Sequence, residues 1–245
     1  MNWRYNHMIR LDKYLADMGV GTRAEVKKYI RQGKVKIDGN VVKSPDMKID
    51  ETMQNVSYQD QQVGYEEFEY YMLHKPAGVI SATTDKHDKT VIDLITDKKR
   101  KDLFPVGRLD KDTEGLLLIT NDGELAHRLL SPKKHVDKIY YAKIKGVVTD
   151  DDVKVFEEGV SLGQGEVAKP AKLRILQSDE ISEIELTIQE GKFHQVKRMF
   201  MSVGKEVVYL KRLSMGTLVL DDNLPLGAYR ALTTEELEKL QDQKE

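Results

Sequence analysis

Apolar residues near the start of the chain recur at helical spacing. Leu11, Tyr14, Leu15 and Met18 stand at positions i, i+3, i+4 and i+7, which is the stripe of an amphipathic helix. Gly19 follows the stripe directly and is a helix stop signal. The pattern therefore predicts a first short helix that ends near Gly19.

A second helix and a hairpin follow. Thr22 with Glu25 three residues later forms a capping-box sequence, and the helix it opens has the apolar face Val26, Tyr29 and Ile30. Beyond it, two alternating segments within Val35–Val42 flank an Asp38-Gly39 pair, a strong signal for a β-hairpin. Two helices and a hairpin predict a small N-terminal domain over residues 8–62.

The rest of the chain is richer in strands. Alternating or β-rich runs stand at 70–73, 116–120, 139–144, 173–176, 184–188, 207–210 and 218–220. Helical spacing appears from His194 to Val203, and a capping box at Thr233 opens a terminal helix. Because strands outnumber helices and do not alternate with them, we expect an α+β domain with a mostly antiparallel sheet over residues 67–241.

Composition excludes several classes of protein. The 245 residues are 40% apolar and 33% charged, as in a soluble globular protein, and no apolar run is long enough for a spanning helix. There is no cysteine, which excludes disulfides, thiolate nucleophiles and Cys-ligated metals, and the six histidines are scattered. We therefore expect a cytoplasmic protein with no metal site.

Charge is distributed unevenly. Residues 8–43 carry nine basic and four acidic side chains, whereas residues 44–245 have a net charge of −8. A basic module attached to an acidic body suggests contact with a polyanion, although a solvated helix face would explain the charge alone. The segment Ile9–Val42 as a whole resembles an S4 RNA-binding domain. That resemblance implies RNA contact through the basic side chains Arg10, Lys13, Arg23, Lys27, Lys28, Arg31 and Lys34.

The stretch GRLDKDTEGLLLIT, residues 107–120, carries the most unusual chemistry of the chain. Asp110, Asp112 and Glu114 lie within five residues, between glycines, and run into an apolar strand. Such aspartates can organise a loop through its own backbone, or Asp110 and Asp112 can act as an acid/base pair of the glycosidase type. The residues alone leave both interpretations open.

The same stretch is similar to the G-R-L-D-x-x-T-x-G-L-L-L-x-T signature of pseudouridine synthases. The similarity is to the RsuA family, the branch that modifies ribosomal RNA and carries an N-terminal S4 domain. Further matches in order are MLHKPAG at 72–78, the K-x-Y element at Lys138 and Tyr140, and EGKFHQVKRMF at 190–200. His74 stands where the family usually has asparagine, and we expect it, like His194, to be a hydrogen-bonded packing residue.

The resemblance implies a role for each matching residue. Asp110 falls on the catalytic aspartate, Lys197 on its cationic partner and Tyr140 on the tyrosine that stacks on the target base. Arg108 is implied to fill the space that an extruded base leaves, and Leu210 to form an apolar wall. Further substrate-binding positions in the motifs are Leu109, Thr113, Gln195 and Arg198. Because side chains at 197 and 198 point about 100° apart on a helix, we expect only one of them to face the pocket.

Pseudouridine formation is an isomerisation, so the resemblance implies no cofactor. It also implies ribosomal RNA as the partner, within a pre-ribosomal particle, with no membrane or protein partner and a monomeric enzyme. Lys169-Pro170-Ala171 and the lack of a basic extension after Glu245 resemble the type that modifies 16S rRNA. The rival hypotheses are the same reaction on 23S rRNA, a non-catalytic S4 assembly factor, and a glycoside hydrolase, which the scarcity of tryptophan disfavours.

Overall fold

The computed structural model describes residues 8–131, 133–163 and 165–242. Internal contacts divide the chain into two units. One unit contains the residues up to Glu69 together with Asp97–Asp102, and the other contains Tyr70–Thr96 and the residues from Leu103 onward. Within the first unit, the Glu69 carboxylate accepts hydrogen bonds from the backbone N–H groups of Lys99 and Arg100 in the Asp97–Asp102 segment.

Short elements build the first unit, in the order β1 Met8–Arg10, α1 Leu11–Asp17, α2 Arg23–Arg31, β2 Val35–Ile37, β3 Asn40–Val41, β4 Lys48–Asp50, β5 Val56–Tyr58 and β6 Gln61–Val63. The predicted capping box starts α2: Glu25 N–H donates to Thr22 Oγ1, and Thr22 N–H donates to Glu25 Oε2. The predicted hairpin is β2–β3, and it joins a four-stranded sheet of order β3-β2-β5-β6. These findings confirm the two helices and the hairpin.

The second unit has more strands than helices. Its elements are β7 Tyr70–Lys75, a 3₁₀ turn at Ile92–Leu94, β8 Phe104–Pro105, β9 Glu114–Thr120, α3 Gly123–Leu130, β10 Lys138–Lys145, α4 Asp150–Glu158, β11 Ser161–Gly163, β12 Glu166–Val167, β13 Lys172–Gln177, β14 Ile181–Ile188, α5 Gln195–Ser202, β15 Glu206–Met215, β16 Leu218–Val219, β17 Tyr229–Ala231 and α6 Thr234–Gln241.

One large sheet runs through this unit, with the strand order β13-β14-β10-β15-β9-β7-β17. Its neighbouring strands pair antiparallel, apart from the parallel pair β15–β9. The α+β class with a mostly antiparallel sheet is thereby confirmed. No helix within the described ranges is long and apolar enough to cross a membrane.

Both faces of the sheet are buried. On β9, Leu117 and Ile119 pack into the core that also contains Phe156 of α4 and Phe200 of α5, whereas the alternate residues Leu116 and Leu118 pack into a core with α3 and α6. Burial on both faces explains why β9 is apolar without alternation. The helices α3 and α4 were not predicted from the sequence.

Candidate active site

Asp110 lies in the loop between β8 and β9, and several hydrogen bonds fix that loop. Ser81 Oγ donates to the carbonyl oxygen of Leu109 at 2.8 Å, and Thr113 N–H donates to that of Asp110 at 3.1 Å. Gly78 N–H donates to the carbonyl oxygen of Lys111 at 2.7 Å. The Asp110 side chain is 24% exposed. The loop thus presents a half-buried carboxylate on a fixed backbone.

Lys75 supports the same loop from within the protein. Its side chain is fully buried, and its ammonium donates to the carbonyl oxygens of Thr113 at 2.8 Å, Pro76 at 3.0 Å and Lys111 at 3.3 Å. Burial lowers the pKa of Lys75 to about 8, although the nearby charges of Asp112 and Asp110 oppose the shift. Lys75 therefore connects strand β7 to the backbone of Lys111 and Thr113, which follow Asp110 in the loop.

The structure shows why the motif has a glycine at position 115. At the start of β9 it pairs with Arg212 of β15 in the parallel register, and its φ is 104°. A Cβ at this position would lie 2.2 Å from the Arg212 carbonyl oxygen, so only glycine allows the two strands to meet. This approach places the Asp110 loop beside β15.

Helix α5 brings the cation to Asp110. His194 precedes the helix in the left-handed conformation, at φ 47°, and Lys197 projects from the first turn. Lys197 Nζ lies 3.1 Å from Asp110 Oδ2 and 2.6 Å from Asp112 Oδ1. The lysine thus bridges both aspartates.

Lys197 and Asp112 each favour the charged form of the other. Burial disfavours the Lys197 ammonium, but hydrogen bonds to Asp112 and Asp110 outweigh it and raise the pKa of Lys197. The hydrogen bond from Lys197 lowers the pKa of Asp112. The resemblance implied Asp110 as the partner of Lys197 and said nothing of Asp112, so this second partner, 85 positions away in the chain, was not expected.

His194 also lies at the site. Its Nε2 is 3.7 Å from Asp110 Oδ1, and its side chain is 43% exposed. Its ring stacks on that of Phe193 with the centroids 3.8 Å apart, and Phe193 is 73% exposed. The expectation of a packing role was therefore wrong for His194, whose ring is largely exposed and lies beside Asp110. For His74 the expected role is confirmed: it is buried, and Nδ1 bonds with the carbonyl oxygen of Leu224 at 2.7 Å.

A cavity of about 840 Å³ opens beside Asp110. Tyr140 of β10, which is 7% exposed, lines it together with Arg108, Phe193 and His194. Leu210 of β15 lines a smaller adjoining pocket with Asp110 and Tyr140. The structure therefore brings Asp110, Tyr140, Lys197 and Leu210 to one place, from three strands or their loops and one helix.

Of the other expected substrate-binding residues, some lie at the cavity or beside Asp110 and one points away from it. Arg108 is exposed at the cavity, and Leu109 and Thr113 are buried beside Asp110. Gln195 is buried and donates to Glu190. Arg198 points elsewhere, because its guanidinium donates to the carbonyl oxygens of Leu162 and Phe193 and to the carboxylate of Glu166. As expected, one of the adjacent side chains at 197 and 198 reaches Asp110, and it is Lys197.

In the first unit, a buried carboxylate organises three of the expected RNA-binding residues. Asp12 is fully buried, and the charged nitrogens of Arg10, Arg23 and Lys27 lie 3.0–3.8 Å from its oxygens. Burial would raise the pKa of Asp12, but the hydrogen bond from Arg10 and the charges of Arg23 and Lys27 hold it below its usual value.

The remaining basic side chains of this unit have other neighbours. Lys13 pairs with Asp17 at 2.9 Å, and Lys34 Nζ lies 5.5 Å from the centroid of the Tyr29 ring. Lys28 and Arg31 are exposed on α2.

Comparison with known proteins places this arrangement in a family. The RNA pseudouridylate synthase model matches residues 69–202, more than half of the chain, and the S4 domain model matches residues 9–55. The chain belongs to the RNA pseudouridylate synthase family. It is thus an RNA pseudouridine synthase, an isomerase with an S4 domain.

Individual relatives align with nearly the whole length of this chain. The chain is 51% identical to the uncharacterized RNA pseudouridine synthase YtzG of Bacillus subtilis, over 96% of this chain and 99% of the relative. It is 41% identical to ribosomal small subunit pseudouridine synthase A of Haemophilus influenzae, over 95% and 99%. It is 42% identical to ribosomal large subunit pseudouridine synthase B of Bacillus subtilis, over 95% and 96%.

The expected likeness to the small-subunit type is therefore matched by an equal likeness to a large-subunit enzyme. A solved pseudouridylate synthase superimposes on the chain with a TM-score of 0.67 at 40% identity, covering 95% of this chain and 99% of that one.

Proposed function

We propose that this protein converts one uridine of ribosomal RNA into pseudouridine, and that the RNA is 16S rRNA of the small subunit. The observation that carries the proposal is the ion pair between Asp110 and Lys197 beside a cavity lined by Tyr140. Relatives named for small-subunit and for large-subunit RNA support ribosomal RNA as the substrate class. The Lys169-Pro170-Ala171 segment favours the small subunit.

The reaction breaks the N1–C1′ bond of uridine and forms a C5–C1′ bond. The base gains a proton at N1 and loses one from C5, so atoms and electrons balance without an oxidant or an added group. A carboxylate is needed at the sugar, either to attack C1′ or to remove the C2′ proton, and both roles require it to be ionised and fixed. Asp110 suits this role because it pairs with Lys197 at 3.1 Å and the loop hydrogen bonds fix its backbone.

The target base has to leave its stack before it reaches Asp110, which costs a few kcal/mol. In our proposal the base enters the cavity and stacks on Tyr140, while Leu210 forms the apolar wall. Arg108, exposed at the cavity, fills the vacated space with its planar guanidinium. Leu109, Thr113 and Gln195 shape the floor, and Arg198 acts by holding Glu166 and Leu162.

RNA binding is assigned to the S4 domain over residues 8–62, and catalysis to residues 67–241. Arg10, Arg23 and Lys27 are gathered by Asp12, and the exposed Lys28 and Arg31 extend the basic surface. In our proposal the enzyme acts as a monomer on a pre-ribosomal particle in the cytoplasm.

Carbodiimide mapping of pseudouridines tests the substrate. Both rRNAs are mapped from the parent strain, from a strain lacking the gene, and from that strain carrying either the wild-type gene or Asp110→Asn. We expect one 16S site to vanish on deletion and to return with the wild-type gene only. A missing 23S site contradicts the 16S assignment, and unchanged maps of both RNAs contradict the proposed function.

A further inference from the structure

Two buried cations line the cavity, and the reaction as described uses neither. Lys138 of β10 is 6% exposed, and Arg212 of β15 is 2% exposed. Both lie in the wall that also contains Tyr140. Burying a charged side chain costs free energy unless a counter-ion or hydrogen bonds compensate its charge. Two buried cations at one cavity therefore indicate that the cavity binds an anionic group.

The sheet register brings the two cations together with Tyr140. Tyr140 is the direct cross-strand partner of Arg212, so their side chains lie on the same face of the sheet. Lys138 precedes Tyr140 by two residues and is buried on the same face of β10. The register of the two strands shifts between Ile139 and Tyr140, a local irregularity of the kind that re-aims side chains near functional sites.

Neither cation has its hydrogen-bonding capacity filled. Arg212 donates from Nε to the carbonyl oxygen of Leu116 at 2.8 Å, but its buried Nη2 has no hydrogen-bond partner within the described residues. Lys138 donates to the carbonyl oxygen of Val136 at 3.0 Å. Both residues line the cavity, so the ammonium and the guanidinium lie at its wall with donors that no described protein acceptor takes up. Nη2 itself is closed off from solvent, so a ligand is bound through the other donors.

The acidic residues of the cavity are engaged elsewhere. Asp110 pairs with Lys197, and Glu190 accepts from Gln195 at 2.7 Å and from the backbone N–H of Lys169 at 2.9 Å. Across residues 8–131, 133–163 and 165–242, no carboxylate oxygen lies within 4.0 Å of the charged nitrogens of Lys138 or Arg212. Asp137, the neighbour of Lys138 in the chain, offsets part of its charge, but no carboxylate of the described residues forms an ion pair with either cation.

We propose that Lys138 and Arg212 form a phosphate-binding subsite, which holds a phosphate of the RNA strand next to the target uridine. The inference rests on the proposed function and adds the group by which the extruded nucleotide is gripped. A phosphate fits better than a base, because a neutral uracil carbonyl leaves both charges uncompensated, whereas an anion neutralises them and accepts several hydrogen bonds. Burial and the charge of Arg212 lower the pKa of Lys138 to about 8, and a bound anion opposes that shift.

Nucleotide binding to the full-length wild-type protein tests the subsite directly. Uridine 5′-monophosphate, uridine 3′-monophosphate and uridine are titrated calorimetrically at low salt. We expect one monophosphate to bind at least about tenfold more tightly than uridine, the gain from hydrogen bonds to a charged acceptor. Equal binding of uridine and both monophosphates overturns the proposal, and this comparison needs no variant.

Variants then assign the gain to the two residues. Lys138→Met and Arg212→Gln are each expected to remove the preference for the monophosphate, whereas Lys211→Gln, on the opposite face of β15, keeps it. Melting temperatures establish that each variant is folded, which matters because Arg212 also binds the backbone of β9. A folded Lys138→Met or Arg212→Gln protein that keeps the wild-type preference contradicts the assignment.

The outcome is separable from that of the proposed function. If the rRNA maps show no lost site but the monophosphate preference is present and depends on Lys138, the subsite stands and the proposed substrate is wrong. If the 16S site is lost on deletion but uridine binds as tightly as both monophosphates, the proposed function stands and the subsite is wrong.

Discussion

Replacing Lys75 by methionine tests how the Asp110 loop is held. Methionine keeps an unbranched side chain in the buried space but removes the ammonium, and with it the hydrogen bonds to the carbonyl oxygens of Pro76, Lys111 and Thr113. These bonds connect the end of β7 to the backbone on both sides of Asp112. We expect Lys75→Met to loosen the loop and to destabilise the second unit.

The expected loss of unfolding free energy is the stabilisation from the lost hydrogen bonds minus the cost of burying the ammonium. Hydrogen bonds to a charged group contribute about 1.5–3 kcal/mol each, so three contribute about 4.5–9 kcal/mol. The environment as a whole disfavours the ammonium, because burial outweighs the nearby carboxylates, and lowering its pKa from 10.5 to about 8 corresponds to roughly 3 kcal/mol. The net loss of unfolding free energy in Lys75→Met is therefore about 1–6 kcal/mol. A 1 Å displacement of Asp110 would in addition reduce the rate about 100-fold.

The pH dependence supplies a second readout with a defined sign. Lys75 and Lys138 both have a folded-state pKa of about 8, below the value of 10.5 for an ordinary lysine. Between pH 8 and 10 the unfolded chain binds more protons, so the stability of the wild-type protein rises with pH, by up to about 1.4 kcal/mol per pH unit for each lysine. Below pH 8 both states are protonated and this contribution is flat. In Lys75→Met we expect about half of the rise.

Urea unfolding followed by circular dichroism at several pH values measures both quantities, and single-turnover pseudouridine formation measures the rate. Lys172→Met is the matched control, because Lys172 is exposed on β13 and its replacement should change stability by less than about 0.5 kcal/mol. If Lys75→Met is as stable as this control and keeps the full pH-dependent rise, the assigned role of Lys75 is refuted.

Three further changes test other parts of the molecule. Phe193→Ala removes the exposed ring that stacks on His194 at the cavity. We expect an RNA base to stack on this ring, so the variant should raise KM for RNA about tenfold, whereas Met201→Ala, at a similarly exposed side chain, should not. Equal KM values for both variants contradict stacking. Thr22→Ala removes the cap of α2 and should cost about 0.5–2 kcal/mol in urea unfolding, and an unchanged midpoint and slope would be inconsistent with the capping box. The double variant Lys28→Gln with Arg31→Gln should flatten the slope of log affinity against log salt by about 0.7–0.9 for each phosphate that is no longer neutralised, and an unchanged slope removes this face of α2 from the RNA interface.

Local signals in the sequence predicted much of this fold. The capping boxes at Thr22 and Thr233, the Asp-Gly hairpin and the apolar run of β9 each depend on neighbours within a few residues, and each was found where expected. Helix α3 was not predicted, because Asn121-Asp122-Gly123 at its start is also a typical turn sequence. In the structure Asp122 is its N-cap and accepts a hydrogen bond from Leu125 N–H at 2.9 Å.

Interactions between distant segments were harder to predict. Motif resemblance paired Asp110 with Lys197, but Asp112 as a second partner of that lysine follows from the way helix α5 sits against the loop. The buried positions of Lys75 and Arg212 likewise depend on the strand order, which residue spacing does not encode. A capping-box signal at Thr149, completed by Asp152, was present in the sequence and would have found α4.

The Asp110 carboxylate is the group on which the proposed isomerisation depends. Tritium release from rRNA labelled at C5 of uridine measures the loss of the C5 proton directly, in a single turnover with excess enzyme. We expect release by the wild-type protein and none by Asp110→Asn, with RNA affinity retained because the S4 domain is unchanged. Tritium release by Asp110→Asn at the wild-type rate would contradict a catalytic role for this carboxylate.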